Sequence, residues 1–554
     1  MISQTKFIVR KGMVVVGLLL CSILHVDAQN EGVLSGNFQS NFSVFDLDSA
    51  IGAYESPQYF KEISSSEAWL FLNYQIKGFS LSARYDLFNN SNLLIPTGSY
   101  SGHGLGFWQI KKSIKNLTLT AGSFYDQFGS GLVFRAYENR PLGLDYAVQG
   151  VHARYDISPT WMIKAFTGNQ KGAIEERFSA SPQIVKGVNT EKDFVFKNNS
   201  RLSLGGSMVN RTLSNDDMNL IASEINGYPL GERFDPKYNT YAYNGYFNLG
   251  IGDFNIFGEY CGKTSEAIRN LDARLENSEG SIIQVGGSFA KNKLGKKKKG
   301  GVGVNVQYRK IDHFQFKNTP NAELLNGFLT YQPALTRQAS YRLLARYAAA
   351  AQDIGEEAIQ ADVYYTIKSG RSISFNFSDI TSIDGEHLYQ EFYLGYEHKF
   401  NRKWKMKTGL QRVIYNQEIY QGKDSTYHDV HTITPYLDVT YKFQRRKSVR
   451  AEVIYLNTKE DLGSFIDALI EFNISPHWSF SVSDMVNIDP VRHEGSPISD
   501  EIVHYYTIFS KYTMGVTSFT LAYIKQVEGV NCTGGICRVE PAFSGLRFTV
   551  LTNF

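Results

Sequence analysis

The residues best equipped for chemistry gather in residues 122–150, GSFYDQFGSGLVFRAYENRPLGLDYAVQG. There Arg135, Glu138, Arg140 and Asp145 bring two cations and two carboxylates into a short span. One reading is a charged ring or constriction lining a pore, where paired charges set ion selectivity. The other is an ion-paired cluster that fixes a loop against the wall of a polar lumen. Gly129 and Gly131 permit a left-handed backbone or a close backbone approach in either case.

Three further groups deserve a chemical reading. Cys532 and Cys537 enclose Thr-Gly-Gly-Ile, a small loop that a disulfide would close in an oxidising compartment. A metal site is the rival, but no histidine or second cysteine pair lies nearby in the chain; Cys261 is left as a small buried or lipid-facing residue. His152 and His504 are the histidines placed on strands where an enzymatic barrel would use them, yet neither has a serine and an acid in register. The run from Lys291 through Lys296, Lys297, Lys298 and Lys299, with Arg445-Arg446-Lys447, is polybasic and either a solvated turn or an attractant for acidic lipid or protein. No Walker loop, dinucleotide fingerprint or zinc spacing is present, so neither catalysis, cofactor nor metal is expected.

The elements that must hold these residues are strands. The chain ends FSGLRFTVLTNF, with Leu546, Phe548, Val550, Thr552 and Phe554 on one face and Arg547, Thr549 and Asn553 on the other. A terminal aromatic in this register resembles the C-terminal recognition strand of outer-membrane barrels, which pairs with the first strand. The same period of two begins at Leu34 and runs through the chain, with Leu70, Leu72, Tyr74 and Ile76 turning at Lys77-Gly78 into Phe79, Leu81, Ala83 and Tyr85. Ten short turns stand out, near Lys77, Lys112, Pro159, Gly252, Lys296, Gly370, Arg402, Arg445, Pro476 and Thr513. They imply about 22 strands, within a range of 20–24, in the even-numbered up-and-down scheme with short periplasmic turns and long external loops. Two stretches spoil the count. Residues 168–239 and 311–357 hold only fragments of pattern, and within them Leu202–Met208 and Tyr341–Tyr347 either extend strands or fold inward to fill the lumen.

Composition agrees. Aromatics make up 14% of 554 residues, with 34 Tyr and 37 Phe against 5 Trp, and there are 48 Gly. Mean hydropathy is -0.27, too polar for a helical membrane protein and too aromatic for disorder. A formal charge of +3 gives no argument for nucleic acid. Lys6, Arg10 and Lys11 precede an apolar run from Met13 to Leu24, and Val26-Asp27-Ala28 fits a cleavage site. The expected organisation is therefore a signal peptide over 1–28 and a single transmembrane antiparallel β-barrel over 29–554, in a Gram-negative outer membrane. Leu20 argues against a lipoprotein signal at Cys21. Strands begin too early for the globular plug of an energy-coupled transporter.

Gln127-Phe128-Gly129-Ser130-Gly131-Leu132, Arg135-Ala136-Tyr137-Glu138 and Leu142-Gly143-Leu144-Asp145 resemble the signature of a Bacteroidota outer-membrane barrel family of unknown function. Pro333-Ala334-Leu335-Thr336 and Gly355-Glu356-Glu357 extend the resemblance over most of the mature chain. It implies fold and location, and brings no activity with it. The expected function is a porin-like passive channel for small polar solutes, partly occluded by its own loops. The alternative is a non-conducting accessory barrel of a secretion or surface-protein assembly. Expected partners are outer-membrane lipid, the barrel assembly machinery and envelope proteins.

Overall fold

The computed structural model describes residues 32–172, 177–197, 200–270, 272–294, 300–322, 325–352, 355–424, 427–490, 502–533 and 536–554, with backbone alone for 530–533 and 536. The signal-peptide segment and Lys296–Lys299 lie outside these residues. Twenty-four antiparallel strands form one closed ring. The first strand, Val33–Phe45, pairs on one side with Ser64–Ile76 and on the other with the last strand, Phe543–Asn553. Phe42 stands opposite Phe548 and Ser40 opposite Val550, and Phe554 exchanges two backbone hydrogen bonds with Gly36, at 2.8 and 3.0 Å. Closure leaves no sheet edge, so the backbone polar groups of the ring satisfy one another.

Side chains alternate as the sequence requires. Leu70, Leu81, Ile110, Val151 and Ile470 point outward and are exposed, a lipid-type surface. Among the described residues the short turns lie at one end of the ring and the longer loops at the other. Lys77 (φ 48) and Gly78 (φ 76) are both left-handed, the two-residue turn that matches strand twist. Around the short-turn end the outward face carries Phe79, Trp161, Phe194, Phe254, Trp404 and Trp478, an aromatic girdle. Trp404 stacks on Tyr441 at 4.4 Å and Phe254 lies 4.7 Å from Phe289.

The strand number sits at the top of the expected range because one hairpin hides in the ambiguous stretch. Ala180–Val195 and Arg201–Thr212 are full wall strands, paired from Ile184/Thr212 to Val195/Arg201. Their connection, residues 196–200, carries only the weaker turn signal of Asn198-Asn199-Ser200, inside a stretch whose alternation is broken up. Leu202–Met208 is thus barrel wall, neither an extension nor an inward fold. The same stretch also holds the helix Asn215–Asn226, capped by Ser214, whose hydroxyl accepts from the Asp217 N–H.

The second stretch does fold inward, and so do residues 125–147. Seven consecutive wall strands each turn an apolar side chain into the lumen, from Phe166 and Val185 through Val209 and Ala242 to Ile282 and Ile311. Phe128, Leu132 and Phe134 of the first segment, and Phe314, Phe316 and Leu329 of the second, pack on this seat. On the far side of the lumen, Ile380, Val413, Ile454, Phe465 and Met485 form another seat. It receives Leu335, Tyr341, Leu343, Leu344 and Tyr347. Burying each large apolar side chain contributes roughly 1.5–3 kcal/mol. The described residues between 313 and 352 therefore form a strap that is anchored on both seats and crosses the lumen.

The closing strand yields a first expected outcome. Deleting Phe554 removes the two bonds to Gly36 and the ring beside it, so the yield of heat-modifiable folded barrel, read as a gel-mobility shift, falls sharply. Unchanged yield would contradict the role assigned to this residue.

Candidate functional site

The lumen and the two segments that fill it form the candidate site. Arg84, on the inward face of Phe79–Ser91, is its hub. Its guanidinium donates to both Asp86 oxygens at 2.6 and 2.9 Å, to Asp145 Oδ2 at 2.7 Å and to Glu138 Oε1 at 2.5 Å. Lys171 Nζ donates to Asp145 at 2.7 Å and to the Gly106 carbonyl at 2.7 Å, and the Tyr125 hydroxyl donates to the other Asp145 oxygen at 2.9 Å. Arg140 Nε reaches Glu138 at 3.0 Å. Three cations thus meet three carboxylates, and the side chains of Arg84, Asp86, Asp145 and Lys171 are at most 2% exposed. Burial works against the charged form of Asp145, but Lys171 and Arg84 outweigh it and hold the carboxyl well below the usual range. Space for the cluster depends on Gly106, where a Cβ would overlap the Asp86 carboxylate.

Of the four charges singled out in the sequence, Glu138 and Asp145 bind Arg84, Arg140 joins through Glu138, and Arg135 stands apart. Its guanidinium lies 3.8 Å from the Tyr331 ring centroid and 4.9 Å from that of Tyr137, one ring from the strap and one from its own segment. The Arg135 N–H donates to the Leu329 carbonyl at 2.8 Å, and the Tyr331 N–H to that of Gly131 at 2.9 Å. The two plug segments are therefore knitted together as well as bound to the wall. Gly129 (φ 56) and Gly131 (φ 99) make the turn within the first segment, between Asp126–Phe128 and Phe134–Ala136, and the Ser130 N–H donates to Glu259 of the wall at 3.0 Å.

Nothing in the sequence marks out Arg84, Asp86 or Lys171, because polar inward positions are the rule in a barrel. Other sealed pairs are of the same kind. Arg309 bonds Glu356 at 2.8 Å, Lys263 bonds Glu266 at 2.7 Å, and Arg337 of the strap meets Glu391 at 2.8 Å. Asp461, in the loop 457–463, takes Arg346 of the strap at 3.1 Å, Lys423 at 2.7 Å and the Tyr347 hydroxyl at 2.9 Å. Burial opposes its ionisation, and Arg346 and Lys423 nevertheless lower it to about 2.

The remaining residues fall apart in space. His152 faces the lumen, bonded to Asp126 at 2.9 Å, and Lys164 holds the same carboxylate at 2.6 Å. His504 faces outward near the loop end, 2.7 Å from Asp484. Cys532 and Cys537 stand opposite one another in the hairpin Gly529–Thr533/Ile536–Glu540. Cys537 is disulfide-bonded, and the side chain of Cys532 lies outside the described residues. Arg538 ties this external hairpin to the plug through the Leu142 carbonyl and to the loop after Phe79–Ser91 through that of Leu93. Cys261 is a free thiol buried in the first apolar seat. Phe548, Val550 and Phe554 line the outer face of the seam.

Two cavities border the plug. One of about 590 Å³ lies among the external loops, lined by Tyr59, Leu94, Leu142, Arg177, Glu528 and Arg538 among others. The other, about 440 Å³, adjoins the strap and the wall strands around Asp362, Tyr364, Tyr393, Glu397 and Tyr436. Arg337 projects into it, its guanidinium 3.7 Å from the Tyr393 ring centroid.

A family model described as a family of unknown function (DUF6029) matches residues 9–554. No curated protein matches the chain in sequence. Among solved structures it is similar to the translocation pore of the P pilus usher PapC, at TM-score 0.45 and 10% identity over 94% of this chain and 99% of that one. The ferric-catecholate import receptor Fiu from E. coli K12 gives TM-score 0.40 and 9% identity over 94% and 81%. Acinetobacter baumannii OccAB3 gives 0.36 and 9% over 95% and 98%. Likenesses at this level transfer no site and no substrate.

Two outcomes follow from the sealed charges. Arg84→Met leaves Asp86, Asp145 and Glu138 facing one another, and stranding buried charges costs about 3–5 kcal/mol. The variant should expose residues 125–147 to protease in micelles, and the double variant with Asp145→Asn should recover part of the protection. For Asp461, whose pKa is depressed, the stabilisation is present above the usual 3.8 and is lost as pH falls from there towards about 2. Protease protection of the strap should decline over that acid window, and Asp461→Asn should flatten the dependence.

Proposed function

The chain belongs to the family of unknown function DUF6029, and from that premise we propose that it is an outer-membrane β-barrel through which small polar solutes pass passively, restricted by its own inward-folded loops. The membrane reading rests on the closed ring, its outward apolar band and the aromatic girdle at the short-turn end. The one observation that carries the channel reading is the division of labour inside the lumen. A ring of 24 strands encloses more space than its wall side chains can fill. Two segments close much of it, and cavities remain on their borders, the one beside the strap lined by Asp362, Tyr364, Tyr393 and Glu397. Solutes small enough to pass between strap and wall would meet paired charges of both signs, which favours polar neutral molecules over strongly charged ones. The role proposed is permeation, with no catalytic step and no cofactor. The terminal strand ending at Phe554 is the part we assign to recognition by the barrel assembly machinery.

A second reading keeps its place because of how tightly the strap is seated. Two apolar seats and the ion pairs of Arg337 with Glu391 and Arg346 with Asp461 hold the strap, so the barrel could be a non-conducting scaffold for envelope partners. Single-channel recording separates the two. The channel reading expects small, steady conductance for the full chain and a several-fold larger one after residues 334–349 are replaced by a short Gly-Ser linker. Silence of the full chain in a verified folded state, with current appearing only after that replacement, would favour the scaffold.

A further inference from the structure

The formal charge of +3 conceals a polar molecule. The short turns hold Lys77, Lys115, Lys197, Arg402, Arg445 and Arg446, against one carboxylate, Asp253, among the described turn residues. The opposite rim exposes Asp216, Glu232, Asp235, Asp384 and Glu418. Charge alone would say only that the short-turn end attracts anions. Two lysines say where the anion sits.

Lys112 and Lys192 point outward, on the face of the ring that bears the aromatic girdle, rather than down from the turns or into the lumen. The Lys112 ammonium lies 4.0 Å from the Phe79 ring centroid and donates to the Lys77 carbonyl at 2.7 Å. The Lys192 ammonium lies 4.8 Å from the Trp161 ring and 5.1 Å from the Phe194 ring. The Trp161 indole N–H is engaged by Thr190 at 3.0 Å, which fixes the ring that carries this lysine. Neither ammonium has a carboxylate partner among the described residues. Aromatic rings of this kind settle at headgroup depth, and lysine stems lie along apolar surface while the ammonium seeks the polar layer.

From this geometry we infer that the short-turn end binds anionic phospholipid headgroups through a belt in which girdle rings position outward lysines and the turn cations add a second tier. The inference rests on the outer-membrane reading above. A soluble acidic protein fits less well, because Lys112 and Lys192 lie at girdle depth on the lipid-facing wall. The phosphodiester would sit between the ring-borne ammonium and the turn cations beyond it, with its acyl chains along the outward apolar band. Each cation at such a surface enriches anionic lipid on the order of five-fold.

The test uses the full chain in phosphatidylcholine vesicles that contain a fixed fraction of either brominated phosphatidylcholine or brominated phosphatidylglycerol. Bromine quenches nearby indoles, and the Trp161 contribution is the difference between wild type and Trp161→Phe. The expected result is markedly stronger quenching of Trp161 by the brominated anionic lipid at equal fraction. That excess should weaken with salt and vanish in the Lys112→Gln/Lys192→Gln variant, whose heat-modifiable folding should be intact. Equal quenching by the two lipids, or an excess that survives in the variant, overturns the inference. Absence of quenching by either lipid would place Trp161 outside a bilayer, and so defeats the membrane reading itself, a result distinct from equal quenching.

Discussion

Ring closure is the constraint from which the rest of the structure follows. Once Val33–Phe45 pairs with Phe543–Asn553, no strand edge is left, and every ladder group finds its partner within the wall. With 24 strands, closure also fixes a circumference too large for the wall's own side chains to fill. A wall that needs only alternation for its stability thereby creates a second folding problem in its interior.

The interior is solved with the physics of a soluble core. Apolar side chains from seven neighbouring strands form one seat and a comparable patch across the lumen forms another, and two chain segments bury their aromatics and leucines on them. Charged groups are then brought to the wall in balanced sets, as around Arg84, because a lone buried charge is costly and a compensated set is much less so. The apolar seats hold the plug and the sealed charges fix its register. Arg135, clasped by Tyr137 and Tyr331, joins the two segments so that neither seats alone.

How far the sequence discloses this depends on whether a residue's neighbours are local. The wall was legible, since a period of two and paired turn residues are local signals, and Phe548, Val550 and Phe554 announced the seam. One hairpin escaped because it sits inside the stretch 168–239, where only fragments of the alternation show. In the site, Glu138, Arg140 and Asp145 were legible as charges, but Arg84, the common partner of the two carboxylates, lies on a wall strand with nothing to mark it out. A usable signal did exist. Phe166, Val185, Val209 and Ile282 occupy inward positions where a water-filled lumen would call for polar residues. Read together, strand after strand, they report that something apolar lies against them.

The strap leaves the wall at Asp312 and rejoins it at Gly355, and these two residues are partners in adjacent strands. Its two ends therefore emerge side by side, and the intervening chain could lift away without breaking a single ladder bond. It remains tethered at both ends, so its return to the seats is an intramolecular encounter, with an effective concentration in the range of short flexible linkers, on the order of millimolar. An open state of this barrel would carry its own stopper within reach, and its lifetime would depend on how the strap is held away more than on any search for the seat.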